Sequence, residues 1–208
     1  MSEISTIEQL RTLYREPRGG PVDKEHPTLT DGDRAFIAHS PFVVISSADD
    51  EGRCDASPKG GPPGFVAVLG DGRVAIPDLA GNNRLDSMQN VLDNAGIGLL
   101  FLIPGLEETL RVNGRASLST DPVVLAACAI GTAVPKVAIT VVVDAVYLHC
   151  GKALRRGGLW EPSTWPDTSD MPTPACMLRD LVAPQLEVQV VADALEADYQ
   201  KTLWQAPS

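Results

Sequence analysis

A short polar segment, Gly81-Asn82-Asn83-Arg84, combines residue types suited to binding an anion. It stands where a predicted strand, residues 74–76, gives way to a predicted helix that begins near Arg84. A helix start offers free backbone N–H groups and a partial positive charge. Asn82 and Asn83 add amide donors, Arg84 adds a guanidinium suited to phosphate oxygens, and glycine allows close approach of the backbone. The same residues also fit an ordinary capped helix, with Asn83 as N-cap, Asp86 as its partner and Arg84 in solvent.

Two other places could contribute to the same site. Ser57-Pro58-Lys59-Gly60 brings a hydroxyl, a cation and a glycine to the end of a predicted hairpin arm. It is also compatible with a solvated turn, because proline and glycine commonly end strands. Arg111 lies on the polar face of a predicted strand, beside Thr109 and Asn113. A solvent-facing sheet surface explains that face equally well.

The elements that must position these residues begin with helices. Residues 6–15 carry Ile7, Leu10 and Tyr14 at helical spacing, and residues 16–27 are predicted to be a loop. Thr30 is predicted to cap a second helix that reaches residue 39, with Asp33 as its acidic partner.

Most of the following elements are predicted to be strands. Residues 42–47 and 54–59 form one hairpin around the turn 49–52, and residues 65–69 and 73–76 form another around 70–72, after a loop at 60–64. Residues 97–103 are apolar throughout, which predicts a strand buried on both sides. Residues 109–119 alternate between apolar and polar side chains, and residues 136–149 form a long strand rich in valine.

Single helices interrupt and follow these strands. Leu85, Met88 and Leu92 fall on one face of a predicted helix within residues 81–96. Asp121 and Pro122 start another helix, which Gly131 ends. Residues 157–174 are predicted to be an irregular surface arm, and residues 177–183 and 186–204 to be helices.

This order predicts one mainly β domain with α-helices over residues 1–208: an antiparallel split β-barrel at 41–150, N-terminal helices at 1–40, and an arm with C-terminal helices at 151–208. A βαβ dinucleotide fold is disfavoured, since no G-x-G-x-x-G follows a strand.

Composition narrows the classes of partner. The chain has 208 residues and a formal net charge of −10, without a basic patch, so we expect no nucleic-acid partner. We expect no membrane span and no secretory signal. The four cysteines lack CxxC spacing and indicate reduced thiols in a cytoplasmic protein. His149 and Cys150 leave a zinc site open, but neighbours on a strand point to opposite faces, so we predict no metal.

The combined string of motifs resembles a bacterial branch of FMN-binding proteins related to pyridoxamine 5′-phosphate oxidase. The resemblance covers about residues 30–165. Its segments are Ser57–Gly60, Ile76-Pro77-Asp78, the run from Gly81 to Asp86, the runs 98–105 and 109–116, and the run 149–156 with Leu159-Trp160 behind it.

That resemblance implies a split barrel that dimerises, with two FMN sites at the subunit interface. It implies that Lys59 and Arg84 lie near the FMN phosphate, with Asn82 and Asn83 at the helix start. The backbone of Ser57, Pro58, Lys59 and Gly60 and of Ile76 and Pro77 would run beside the isoalloxazine ring. Thr109 and Arg111 would come from a strand that reaches the site, either within the subunit or across the homodimer. The tail with Lys152 and Trp160 would close the partner's pocket.

The sequence departs from the family at Gly61, where many relatives carry an acidic residue. The motifs that bind pyridoxamine phosphate are not evident, so that activity is not carried over. The expected function is an FMN-dependent oxidoreductase of a small-molecule substrate, for which no acid–base residue is strictly required. Two alternatives stay open: a non-catalytic flavin carrier or sensor, and a split barrel that holds haem or a deazaflavin.

Overall fold

The computed structural model describes residues 3–203. Its strands are β1 (Phe42–Ala48), β2 (Cys54–Gly60), β3 (Ala67–Val68), β4 (Val74–Pro77), β5 (Gly96–Leu102), β6 (Thr109–Ser119) and β7 (Ala138–His149). Its α-helices are α1 (Ile7–Arg11), α2 (Gly20–Asp23), α3 (Asp31–His39), α4 (Asp86–Asp93), α5 (Pro122–Ala127), α6 (Lys152–Arg156), α7 (Pro174–Val182) and α8 (Val188–Thr202).

The strands form a curled antiparallel sheet in the order β2-β1-β5-β6-β7-β4-β3. Alternate side chains of its central strands point into one core, whose fully buried members include Val43, Ile45, Leu99, Phe101 and Val112. The predicted split barrel with accompanying helices is therefore confirmed.

The opposite face of the sheet is only partly covered. Phe42 is 37 % exposed, and its neighbours on this outward face, Val44, Leu100 and Leu102, are half-buried. The prediction that residues 97–103 are buried on both sides is wrong for the single chain, because only alternate residues of β5 face the core. An apolar strip thus remains available on the outward face.

A β-bulge interrupts the pairing of β6 with β7. Asn113 pairs with Ala145, whereas Gly114 pairs with Val143, so Asp144 is the extra residue. A side chain at position 114 would collide with the Val142 carbonyl, and glycine is therefore required there. The bulge divides β7 into a half that pairs with β4 and a half that ends at His149.

The N-terminal segment is attached to the barrel by α3 and His26. Thr30 and Asp33 form the predicted capping box, in which the Thr30 N–H donates to Asp33 Oδ2 at 2.8 Å. His26 exchanges two backbone hydrogen bonds with Val146 of β7. The predicted first helix is shorter than expected, because Ile7 and Tyr14 are exposed and no packing extends it. The predicted loop at 16–27 contains the four-residue α2.

The elements β3, α4 and α5 are shorter than the sequence predicts. The strand predicted at 65–69 is reduced to β3, since Phe65 and Val66 are buried before the β3–β4 pairing begins. The helix predicted at 81–96 begins at Asp86 and ends at Asp93. Its buried face carries Ser87, Met88 and Val91. Leu85 and Leu92 are 45 % and 72 % exposed, so the predicted apolar face is wrong at both and holds only at Met88.

The helix predicted from Asp121 towards Gly131 ends at Ala127. Asp121 caps it, accepting a hydrogen bond from the Val123 N–H at 2.9 Å, and Gly131 lies in a later turn with φ 60°.

The C-terminal part consists of an irregular arm and a helical pair. Residues 157–173 are irregular apart from a 3-10 turn at Pro162–Thr164, and the predicted arm at 157–174 ends where α7 begins, at Pro174. The predicted helices at 177–183 and 186–204 correspond to α7 and α8, which pack on each other, and position 204 lies outside the described residues. Within residues 3–203, no helix is both long and apolar enough to cross a bilayer.

Candidate functional site

A groove of about 410 Å³ lies between the end of β2, the end of β4 and the start of α4. This volume falls within the range of small-molecule sites, roughly 300–1,000 Å³. The groove gathers most of the residues predicted from sequence, which are separated by up to 27 positions along the chain. Those that line it are Ser57, Pro58, Lys59, Gly60, Pro77, Asn82, Asn83 and Arg84.

The start of α4 is unusual in its backbone. Leu85 is the N-cap residue and has φ 61°, and no side chain caps the first N–H groups of the helix. Asn83 has φ 56°, so both non-glycine residues with positive φ in the described chain lie in the groove. Such conformations cost free energy and concentrate at functional sites. The interpretation of Asn83 as an ordinary N-cap paired with Asp86 is wrong, because the helix begins two residues later.

Arg84 and Asn82 are engaged with their own segment. The Arg84 Nε donates to Asp86 Oδ2 at 2.8 Å, and the Arg84 N–H donates to Asn82 Oδ1 at 3.0 Å. The Arg84 side chain is 71 % exposed, so it can turn towards a ligand by exchanging one exposed ion pair for another. With its oxygen occupied, the Asn82 amide keeps its N–H₂ group as a donor.

Lys59 and Asp78 are the charged pair inside the groove. Lys59 Nζ lies 3.8 Å from Asp78 Oδ1, and the two side chains are 28 % and 14 % exposed. Burial raises the pKa of the Asp78 carboxyl, against the opposing effect of the Lys59 charge. The sequence indicated Asp78 only as a member of the motif Ile76-Pro77-Asp78. The burial of its side chain in the groove does not follow from its position after Pro77.

Asp55 connects two elements that line the groove, and it was not predicted as a site residue. Its Oδ2 accepts hydrogen bonds from Ser87 Oγ at 2.7 Å and from Ser57 Oγ at 3.0 Å. Ser87 is 5 % exposed on α4, so this carboxylate joins the β2 arm to the helix start. The alternation of β2 gives the only sequence signal, since Asp55, Ser57 and Lys59 share one face of the strand.

Two further predicted positions, Ile76 and Gly81, differ in their relation to the groove. Ile76 is fully buried and does not line the groove, whereas Pro77 does. A Cβ placed on Gly81 would meet only the Leu79 carbonyl oxygen, at 3.9 Å. Packing within the chain therefore does not require glycine at 81, and the space beside it is open.

Thr109 and Arg111 do not line the groove of their own chain. Thr109 is 5 % exposed and pairs with His149. Arg111 lies on the outward face, where its Nη1 donates to the Tyr147 hydroxyl at 2.7 Å. Strand registers place Arg111 in one row with Leu100, Val44 and Pro58. With strands about 4.8 Å apart, three strand spacings separate it from the β2 arm.

Metal ligands are not clustered in residues 3–203, where no group of three or more His, Cys, Asp or Glu side chains could hold an ion. Of the cysteines, Cys54 and Cys150 are exposed and Cys128 is buried, and none is in a disulfide. Burial raises the pKa of the Cys128 thiol to about 11.

The groove therefore offers N–H donors and two cations, together with the half-buried Asp78 carboxyl beside Lys59. An uncapped helix start, the Asn82 amide and the Arg84 guanidinium suit an anionic group. A carboxyl with a raised pKa, such as Asp78, suits hydrogen bonding to a neutral polar part of the same ligand. The arrangement fits an elongated ligand with an anionic head.

Solved structures with a similar fold come from several bacteria. HupZ from Group A Streptococcus is 18 % identical, with a TM-score of 0.48, over 58 % of this chain and 94 % of that chain. General Stress Protein 26 from Bacillus anthracis is 13 % identical, with a TM-score of 0.43, over 55 % and 88 %. A heme binding protein from Mycobacterium smegmatis is 14 % identical, with a TM-score of 0.40, over 60 % of each chain. No curated protein matches the sequence.

The family model of pyridoxamine 5′-phosphate oxidase matches residues 29–150. This match spans more than half of the chain and runs from the residue before Thr30 to the end of β7, so it includes the barrel and the groove. The chain belongs to the pyridoxamine 5′-phosphate oxidase family.

Proposed function

We propose that the chain binds FMN in the groove and uses it as an oxidoreductase of a small-molecule substrate. The observation that carries the proposal is that Lys59, Asn82 and Arg84 line one groove together with the uncapped start of α4. These groups supply the N–H donors and positive charge that a phosphate requires. The β2 arm and Pro77 line other parts of the groove. Membership of the family supports a flavin as the ligand.

The donor set fits FMN better than the alternative cofactors. Among the described residues that line the groove, Met88 is present but no histidine or cysteine. A haem iron ordinarily takes a histidine, cysteine, tyrosine or paired methionine ligand, so this groove is poorly suited to it. A deazaflavin with a phosphate could use the same donors, and a visible spectrum separates it from FMN.

Bound in the groove, FMN would supply the redox chemistry, and the chain would supply orientation and local charge. Lys59 and Arg84 would hold the phosphate end. Asp78 would accept a hydrogen bond from a polar group of the cofactor. The Asp55–Ser87 hydrogen bond would hold the β2 arm against the start of α4.

The proposal includes that the chain forms a homodimer. The apolar strip of Phe42, Val44, Leu100 and Leu102 supports a subunit contact on the outward face. Arg111 and Thr109 belong to the neighbouring strand, and in a dimer they would approach the partner's groove. The exposed thiols of Cys54 and Cys150 are consistent with a cytoplasmic location.

The test is purification followed by a visible spectrum and identification of any ligand released by heat. The apoprotein is then titrated with FMN and with riboflavin, and we expect tight binding of FMN only. Comparable binding of riboflavin would contradict a phosphate-binding role of the groove.

Bleaching of bound FMN by NADH or NADPH and recovery in air would support an oxidoreductase, and a bound flavin that no donor reduces would support a carrier. A monomer by sedimentation that binds FMN would contradict the dimer.

A further inference from the structure

A second cluster of cations surrounds Tyr147 on the outward face, away from the groove. Lys24 Nζ lies 5.5 Å from the centre of the Tyr147 ring, and Arg111 Cζ lies 5.4 Å from it. Both distances are within the range of cation–π attraction. The His149 ring is on the same strand face, with its centre 6.3 Å from that of Tyr147.

The contacts that hold this cluster leave several N–H and O–H donors unused. Lys24 Nζ donates to the Leu148 carbonyl at 2.6 Å, which occupies one of its three hydrogens. Arg111 Nη1 donates to the Tyr147 oxygen, so the phenol hydrogen is free to point elsewhere. The backbone pairing of His26 with Val146 fixes the segment that carries Lys24 against β7.

No carboxylate balances these charges. Within residues 3–203, neither Lys24 nor Arg111 forms an ion pair within 4 Å, although the chain as a whole carries an excess of acidic residues. Burial, together with the charges of Arg111 and Lys24, lowers the pKa of His149. The groups that face His149 in this cluster are thus Lys24, Arg111 and Tyr147, all of them donors.

We propose that Lys24, Arg111, Tyr147 and His149 form a binding site for a small oxyanion, a carboxylate or a phosphate. Two cations and a free phenol hydrogen converge without a carboxylate partner, and an anion completes their hydrogen bonding and neutralises their charge. The site uses donors from the N-terminal segment, β6 and β7, and none of these four residues lines the groove of its own chain.

The experiment follows the three histidine rings by NMR during pH titration, with sodium phosphate or sodium acetate as the probe and sodium chloride holding the ionic strength constant. Bound anion offsets the repulsion from Arg111 and Lys24, so either probe should raise the pKa of His149. The ring of His26, which is paired with Asp33, should not respond. A response to either probe supports the site and identifies the preferred anion, and a response to neither overturns it.

Variants locate the response. Arg111→Met should weaken the probe's affinity by about tenfold or more, as loss of a charge-assisted contact predicts. Lys24→Met, at an exposed position, provides a second test if the first variant folds poorly. The matched control is Arg115→Met, which removes an exposed cation from the same strand and should leave the response intact. Arg84→Met should also leave it intact, and loss of the response in that variant would assign the anion to the groove instead.

Discussion

Replacement of Arg84 by alanine is the most direct test of the groove. We expect Arg84→Ala to weaken FMN binding by about tenfold while leaving riboflavin binding unchanged. A charge-assisted contact corresponds to roughly ten- to a hundredfold in the dissociation constant. The lower end applies because Arg84 is 71 % exposed and must leave the carboxylate of Asp86, 2.8 Å away, before it reaches a phosphate.

Two companion variants separate this effect from a general change of charge. Arg73 is paired with Asp71 through the same atoms, Nε and Oδ2, at 2.7 Å, but it lies outside the groove. Arg73→Ala should therefore leave FMN binding unchanged. Asp86→Asn removes the competing carboxylate and should strengthen FMN binding about twofold, consistent with the small worth of an exposed pair.

The assay is quenching of flavin fluorescence during titration of the apoprotein, carried out for both flavins at constant ionic strength. Two results would refute the reasoning. One is an FMN affinity that Arg84→Ala leaves unchanged, which would remove the guanidinium from the site. The other is an equal loss for riboflavin, which would mean that the variant disturbs the start of α4 and not a phosphate contact.

Three further predictions concern stability and reactivity. Asp55→Ala should lower the free energy of unfolding in urea by about 1–3 kcal/mol, since it leaves the buried Ser87 hydroxyl without its acceptor; an unchanged urea midpoint would contradict this. The hydrogen bond to Asp33 raises the pKa of His26 above its ordinary 6.5, and the pKa of Asp33 is lowered from 3.8 despite its burial, by hydrogen bonds from Thr30 and His26. The pair should therefore stabilise the fold most between about pH 4 and 6.5, its contribution falling as pH rises through the raised pKa of His26 or falls through the lowered pKa of Asp33. Urea midpoints of the wild type and His26→Gln should converge outside that window; a constant difference would refute the linkage. Cys128, with a pKa of about 11, should react with a thiol reagent only on unfolding, and labelling of the native protein at Cys128 would show that the core opens locally.

The sequence predicted the fold where a pattern reports burial directly. The alternation of residues 109–119 and the Thr30–Asp33 capping box led to β6 and α3 because each depends on neighbours in sequence. The predicted face of α4 was wrong at Leu85 and Leu92, because the side of a short helix that packs is decided by the sheet against which it lies.

The sequence predicted the candidate site to a similar extent. The motif string identified the residues that meet at the groove, but it could not show that Arg84 is held by Asp86 or that Asn83 and Leu85 adopt positive φ. Asp55 and Asp78 were missed as site residues because their importance comes from contacts between distant strands and α4. Whether Arg111 and Thr109 reach a partner's groove stays a prediction, since it depends on a second subunit.

The single extra residue of the bulge, Asp144, has consequences for how this strand tolerates insertions and deletions. Because Ala145 and Val143 pair with the adjacent residues Asn113 and Gly114, deletion of Asp144 would leave both halves of β7 in register with β6 and would remove only the local bend of the strand. The half towards β4 carries Val141, and the half towards the cation cluster carries Tyr147. Deletion of this one residue should therefore straighten β7 and change the relative orientation of the groove and the Tyr147 cluster, while the same side chains continue to face the core.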